Sequence, residues 1–249
     1  MSQPRLHQQL SLVFETKNTE EVSRLFAHPD FDTFMKKHAL KIPHKELVEA
    51  FTHTSFSHEF NFPHQERLEF LGDAILQMVL TEELYKRFPG TKEGQLSKLR
   101  SALVNEDSLA LMARGLGLGD LLIVGKGEFI KKLYLEATVL ADTFEALLAQ
   151  IYRHHGFEFV RTLILGWINE FIPNAFSENF LDQYDAKSKV QELSLKKYKK
   201  LPRYSSKDHG DRFEITLWIN EVEILKGVFP SKKSGEKALA QEALKKDLI

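Results

Sequence analysis

Apolar residues recur every three or four positions from about residue 8 to residue 170, then every second position from Phe213 to Ile219. The first spacing keeps one face of an α-helix apolar; the second does the same for a β-strand. This change of period constrains the fold most: a long run of helices must be followed by a small mixed unit. Within the helical part, segments 45–56, 64–88, 93–117 and 138–155 are the clearest, separated by Pro63, by Pro89-Gly90 and by five glycines between Gly115 and Gly127. Residues 173–184, with Pro173, Ser177 and Asn179, read as a linker. After it, residues 186–200 read as a helix, Asn220-Glu221 as a turn between strands, and Ser231 to Leu248 as a last helix. The expected division is 1–30 unassigned, 31–172 all-α, 173–184 linker, and 185–249 an α-β-β-β-α unit. A chain of 249 residues is long enough for a sizeable core in one large domain or two small ones.

Charge supports two modules. The whole chain carries 34 Lys/Arg and 35 Asp/Glu, yet residues 185–249 hold 15 basic and 10 acidic groups, net +5, leaving −6 elsewhere. Such asymmetry suggests different partners for the two parts, although chance can also produce it. The absence of Cys excludes a disulfide scaffold, a thiolate zinc site and thiol chemistry. No apolar run approaches a membrane span, and the N-terminus has too short an apolar stretch for a signal peptide. The expectation is a soluble, cytoplasmic protein.

Two acidic helices carry the sharpest chemical signal. Glu66, Glu69 and Asp73 are spaced i, i+3, i+7 and fall within roughly 60° of one helix face. Leu76, Leu80 and Leu84 continue that side, while Leu68, Leu71, Ile75 and Val79 form a stripe opposite, so the helix is expected to be buried. Gly72, a poor helix former, suits close packing there. In Val139–Tyr152 the only charges are Asp142 and Glu145, with no Lys or Arg to pair with them. Were the two helices to pack together, each pair of like charges about 4 Å apart would repel by about 4 kcal/mol at an effective dielectric near 20. A divalent cation resolves that conflict, and oxygen-only ligands favour Mg²⁺ or Mn²⁺, which usually act on phosphates. On spacing alone, a structural acidic cluster remains the alternative.

In the basic part, Ser231 is a good N-cap, and Lys232 and Lys233 in the first turn oppose the helix dipole. That placement makes sense if the helix start holds phosphate. Lys196, Lys197, Lys199 and Lys200 add charge nearby, and His209 lies in a loop. A small basic α-β unit fits shape-reading of A-form RNA.

The run Glu66-Arg-Leu-Glu-Phe-Leu-Gly-Asp73 resembles the signature of bacterial ribonuclease III. Phe51-Thr-His-Thr-Ser-Phe56, Glu93-Gly-Gln-Leu-Ser-Lys-Leu-Arg100, Leu116–Gly119 and Leu140-Ala-Asp-Thr-Phe-Glu-Ala146 follow the family's order. Asp185–Leu193 and Ser231–Lys233 extend the likeness as a double-stranded-RNA-binding domain. The resemblance implies a nuclease domain over 31–172 that forms a homodimer and hydrolyses double-stranded RNA to 5′-phosphate and 3′-hydroxyl ends, as in processing of rRNA precursors. It implies Glu69, Asp73, Asp142 and Glu145 as Mg²⁺ ligands (Mn²⁺ as substitute), with Asp73 and Glu145 catalytic. Phe70 matches an aromatic that plugs into the partner, and Glu66 and Glu93 match acidic positions near the RNA path. Gln191, His209, Ser231, Lys232 and Lys233 fall at RNA-contacting positions.

Departures lie mainly in the binding unit. Gly227-Val-Phe229 stands for a Gly-x-Gly, the loop around Ser205–Asp211 is short and lacks a Gly-Pro, and Leu195 replaces a polar residue. Beside the signature, Gln65 stands where Asn is usual. Two rivals remain at this stage. One is an inactive double-stranded-RNA-binding protein on the same fold; the other is a phosphohydrolase acting on small substrates.

Overall fold

The computed structural model describes residues 5–177, 180 and 186–249. Half of the expected linker, residues 178–179 and 181–184, lies outside the described residues, as does Asp185. The chain divides into two compact units, Met1–Ala175 and Phe176–Ile249.

The first unit is helical. Its helices are α1 (Arg5–Thr16), α2 (Thr19–Phe26), α3 (Pro29–Lys37), α4 (His44–Ala50), α5 (Thr54–Phe60), α6 (Glu66–Arg87), α7 (Glu93–Val104), α8 (Glu106–Leu116), α9 (Lys126–Ile130), α10 (Ala137–His155) and α11 (Phe157–Phe171). At the centre is α10, whose residues from Val139 to Ile151 are nearly all buried. It packs chiefly on α6 and α8, with α11 and α4 on its flanks. Such burial follows from a sequence apolar around most of its circumference.

Residues 5–37, helical by period from about residue 8 but given no domain assignment up to residue 30, form three helices. Leu6, Leu10, Val13 and Phe14 of α1 are buried at helical spacing, and α1 packs on the 3₁₀ turn Leu118–Leu121.

Two expected helices are each broken in two. Segment 45–56 divides at Thr52, which pairs with Ile123: His53 N–H donates to the Ile123 carbonyl at 2.9 Å and Ile123 N–H to that of Phe51 at 2.9 Å. The Phe51–Phe56 motif thus anchors the glycine-rich loop, and the Ser55 hydroxyl also accepts from Gly125 N–H at 2.8 Å. Segment 93–117 divides at Asn105, whose side chain caps α8 by accepting from Ser108 N–H at 3.1 Å.

The second unit holds α12 (Ala186–Tyr198), β1 (Arg203–Asp208), β2 (Phe213–Ile219), β3 (Val222–Phe229) and α13 (Lys232–Lys245). The sheet is antiparallel in the order β1-β2-β3. Asn220 and Glu221 both have positive φ, at 48° and 69°, as a two-residue hairpin turn of the I′ kind requires. Ile215, Leu217 and Ile219 face Ala186, Val190, Leu239 and Ala240 in its core. The Phe229 ring fills space vacated by two glycines, since a Cβ on Gly227 or Gly235 would lie 2.7 or 2.6 Å from it. The ring that departs from Gly-x-Gly is therefore accommodated within the unit. Residues 205–208, expected in a loop, belong to edge strand β1, leaving His209–Arg212 as the connection.

Candidate active site

The site begins where α6 crosses α10. A Cβ built on Gly72 would stand 1.8 Å from the Glu145 carbonyl oxygen and 2.4 Å from its carbonyl carbon. A side chain there would have to occupy backbone, so glycine lets the two helices touch main chain to main chain. The contact falls one residue before Asp73 and three after Glu69, which brings two carboxylates of α6 beside the two of α10.

Electrostatics record the convergence. Burial, reinforced by the negative charges of Asp73, Glu69 and Asp142, pushes the Glu145 carboxyl up to about 8. Glu69 is raised by burial first, then by Asp142, Glu66 and Asp73. Asp142 is raised by burial and by Glu106, whose carboxylate accepts from the Thr138 hydroxyl at 3.0 Å. The charges bearing on Glu145 are all negative. Asp73 accepts from the Gln77 side chain at 3.3 Å. Among the described residues, no three carboxylate or imidazole groups are drawn together as a closed set of metal ligands. The donors nevertheless suit a hard dication: they are oxygen ligands, half-buried, and mutually repelled.

The remaining acidic candidates lie apart. Glu66 is exposed and lines a hollow of about 640 Å³ with Glu49, Arg67, Phe70 and Arg153. Its charge still bears on Glu69. Glu93, at the start of α7, lines a separate cavity of about 460 Å³ with Leu84, Tyr85, Leu96 and Arg100, and accepts from the Ser97 hydroxyl at 2.8 Å. It is not among the charges that shift Glu69, Asp142 or Glu145.

The expectation that α6 is buried all round needs correction. Its buried arc runs through Leu68, Gly72, Ile75, Leu76, Val79, Leu80 and Leu84. The opposite side leaves Phe70 81% exposed, Met78 57% and Tyr85 73%. A helix this apolar still has an uncovered face.

In the second unit, Gln191, His209, Ser231, Lys232 and Lys233 are all exposed. Ser231 caps α13 reciprocally with Ser234: its hydroxyl accepts from Ser234 N–H at 3.2 Å, and Ser231 N–H donates to the Ser234 hydroxyl at 3.3 Å. Lys232 and Lys233 follow in the first turn, where the positive helix end repels them unless an anion is close.

Sequence reasoning missed one pair. Gln65, just before α6, is buried, and its side chain meets the buried Thr143 of α10 at 3.1 Å. Gln65 drew notice only as a departure from Asn, and no local pattern marks a contact across 78 residues.

Comparison with known proteins places both units in known families. The model of the Ribonuclease-III-like family matches residues 44–171, and that of the double-stranded RNA binding motif matches residues 186–246. Ribonuclease 3 of Campylobacter jejuni is 37% identical over 205 residues, covering 80% of this chain and 89% of that protein. Ribonuclease 3 of Streptococcus uberis is 39% identical over 217 residues, covering 83% and 93%. The solved nuclease domain of the Campylobacter jejuni ribonuclease III superposes with a TM-score of 0.54 at 37% identity, covering 57% of this chain and 96% of that one. A second structure of that domain, described as flexible in a region involved in dimer formation, gives 0.53 at 38% identity.

Proposed function

The chain belongs to the ribonuclease III family and is an endoribonuclease of double-stranded RNA; we propose that it cuts by metal-assisted hydrolysis at the crossing of α6 and α10. The observation that carries this reading is the main-chain contact of Gly72 with Glu145, which gathers four carboxylates without a compensating positive charge. Glu69, Asp73, Asp142 and Glu145 would hold Mg²⁺, or Mn²⁺ in its place. When bound, the cation supplies Lewis acidity for an attacking water and positive charge beside the departing oxygen.

Asp73 and Glu145 stand closest to the chemistry in this assignment. Without a cation, Glu145 keeps its carboxyl proton at neutral pH, because burial and three neighbouring carboxylates disfavour ionisation. Attack of water on phosphorus forms one P–O bond and breaks the bond to the 3′-oxygen, which takes up a proton. The ends are then 5′-phosphate and 3′-hydroxyl. We assign cleavage to residues 31–172 and grip on the duplex to residues 185–249, where Gln191, His209 and the Ser231–Lys233 helix start face solvent.

The uncovered face of α6 suits a second copy. Phe70, Met78 and Tyr85 share one side of the helix, within roughly 80° of each other, and Phe70 is about 22 Å along the axis from Tyr85 at 1.5 Å per residue. Antiparallel pairing of two α6 helices about Met78 would set Phe70 of each over the Tyr85 cavity of the other. Sedimentation of Phe70→Asp should then show a monomer where the wild type is a dimer; a wild-type dimer in that variant would rule the pairing out. Among the described residues no helix is long and apolar enough to cross a membrane. An RNA substrate accords with a cytoplasmic location, testable by cell fractionation.

The direct test is incubation with a long RNA duplex and Mg²⁺, with and without chelator. Wild-type protein should cut only when the cation is free. Glu145→Gln should still bind duplex and not cut it. Cleavage by that variant at the wild-type rate would remove Glu145 from the mechanism, and binding without cleavage by the wild type would favour the inactive rival.

A further inference from the structure

Gln65 is 2% exposed and sits at the mouth of α6. Its main chain is fully engaged. Its N–H donates to the Thr52 carbonyl at 3.0 Å, and its carbonyl accepts from Leu68 N–H at 2.8 Å and Glu69 N–H at 2.9 Å. The backbone of Glu69 is thereby tied to Gln65. Across the crossing, Thr143 is fully buried and lies between Asp142 and Glu145 on α10. Its hydroxyl is 2.7 Å from the Val139 carbonyl and 3.1 Å from Gln65 Oε1.

One hydroxyl proton cannot serve both acceptors. The shorter contact, to Val139, takes it, as threonine in a helix commonly bonds four residues back. The Thr143 oxygen is then free to accept, and the Gln65 amide satisfies it when turned to present its N–H₂. The two amide orientations differ only in which terminal atom is nitrogen. With the amide so turned, a buried hydrogen bond spans the two helices beside the carboxylates.

We propose that Gln65 and Thr143 form a latch that fixes the spacing between the carboxylates of α6 and those of α10, making Gln65 a positioning residue for the cleavage site. This rests on the metal-assisted reading given above. Gly72 allows the helices to approach, whereas the latch sets their register: it holds the start of α6, and with it Glu69, against the turn that carries Asp142 and Glu145. Losing Thr143 takes this partner from the buried Gln65 amide, whereas losing Gln65 leaves the Thr143 hydroxyl with its bond to Val139 alone and no tie between the helices. The carboxylates can then drift apart under their own repulsion. Neither residue faces the open surface, so RNA grip should not depend on them.

The test uses the full chain with Gln65→Met and Thr143→Val, which keep size and remove the contact, and Thr143→Ser, which restores the hydroxyl. Melting curves establish folding; should either apolar variant fail to melt cooperatively, Thr143→Ala, with the best helix former, carries the test. Two readouts are taken: kcat and KM on a duplex over a range of Mg²⁺, and calorimetric titration of Mn²⁺ into RNA-free protein. The proposal expects kcat to fall about tenfold with KM for RNA unchanged, and Mn²⁺ affinity to weaken about tenfold without RNA. Thr143→Ser should behave as wild type, and the double variant should lose no more than the worse single one. Wild-type kcat and Mn²⁺ affinity in the folded apolar variants would overturn the latch, as would a defect in Thr143→Ser equal to that in Thr143→Val. An inactive wild type that binds no Mn²⁺ would instead overturn the metal-assisted reading, and the latch's role with it.

Discussion

Replacing Gly72 with Ala perturbs the crossing most directly. The added Cβ would lie 1.8 Å from the Glu145 carbonyl oxygen and 3.0 Å from its Cα, with main chain on both sides and no flexible side chain to give way. Relief to ordinary contact needs the helices to part by about 1.5 Å. Overpacking of a well-filled core costs about 1–3 kcal/mol, and a clash with backbone belongs at the upper end. Alanine returns about 1 kcal/mol of helix propensity, leaving a net loss of about 2 kcal/mol. For a unit of this size that lowers Tm by roughly 4–8 °C. The carboxylates move apart by a similar distance, and misplacement by 1 Å can cost about 100-fold in rate. Thermal melting and single-turnover cleavage of a duplex measure both effects. Gly166→Ala is the control: a Cβ on this exposed residue of α11 meets nothing within 4 Å. It should raise stability by about 0.5–1 kcal/mol and leave cleavage unchanged. Gly72→Ala melting and cutting like wild type would refute the close approach from which the site is built.

Further predictions concern charge. The Glu145 carboxyl ionises near 4.5 in the unfolded chain and near 8 in the folded one, so between those pH values the folded state holds more protons. Stability of chelator-treated protein should therefore fall as pH rises from about 4.5 to about 8. The raised Glu69 and Asp142 act in the same direction. Melts of Glu145→Gln should show a shallower decline, and parallel profiles would contradict the burial of this group. In the second unit, Lys232→Ala with Lys233→Ala should weaken binding equally for duplexes of any sequence and flatten the dependence of log K on log salt by about two. A loss confined to particular sequences would contradict phosphate contact at the start of α13.

The parts of the molecule visible in the sequence are those governed by local period. The carboxylates at 66, 69 and 73 shared a helix face because the spacing places them there, and the isolated pair at 142 and 145 stood out against apolar neighbours. Alternation in Phe213–Ile219 marked a half-buried strand, whereas β1, polar and largely exposed at the sheet edge, has no such alternation. Long-range contacts were not legible. Thr52 interrupts its helix to pair with Ile123, and Gln65 meets Thr143, through partners about 70–80 residues away. The break at Asn105 was legible in principle, since Asn before Glu-Asp-Ser is an N-cap signal, but the apolar period running through it masked the boundary. On the open side of α6 only Phe70 was marked, through the resemblance; Met78 and Tyr85 were not, because hydrophobic periodicity reports which faces are apolar, not whether a second surface covers them.

Anomalous scattering from crystals of the full chain soaked in Mn²⁺ tests the carboxylate site most directly. The expected result is a peak bound by carboxylate oxygens from both helices, Glu69 or Asp73 on one side and Asp142 or Glu145 on the other. Peaks confined to other acidic groups, with these four side chains turned to solvent, would contradict it.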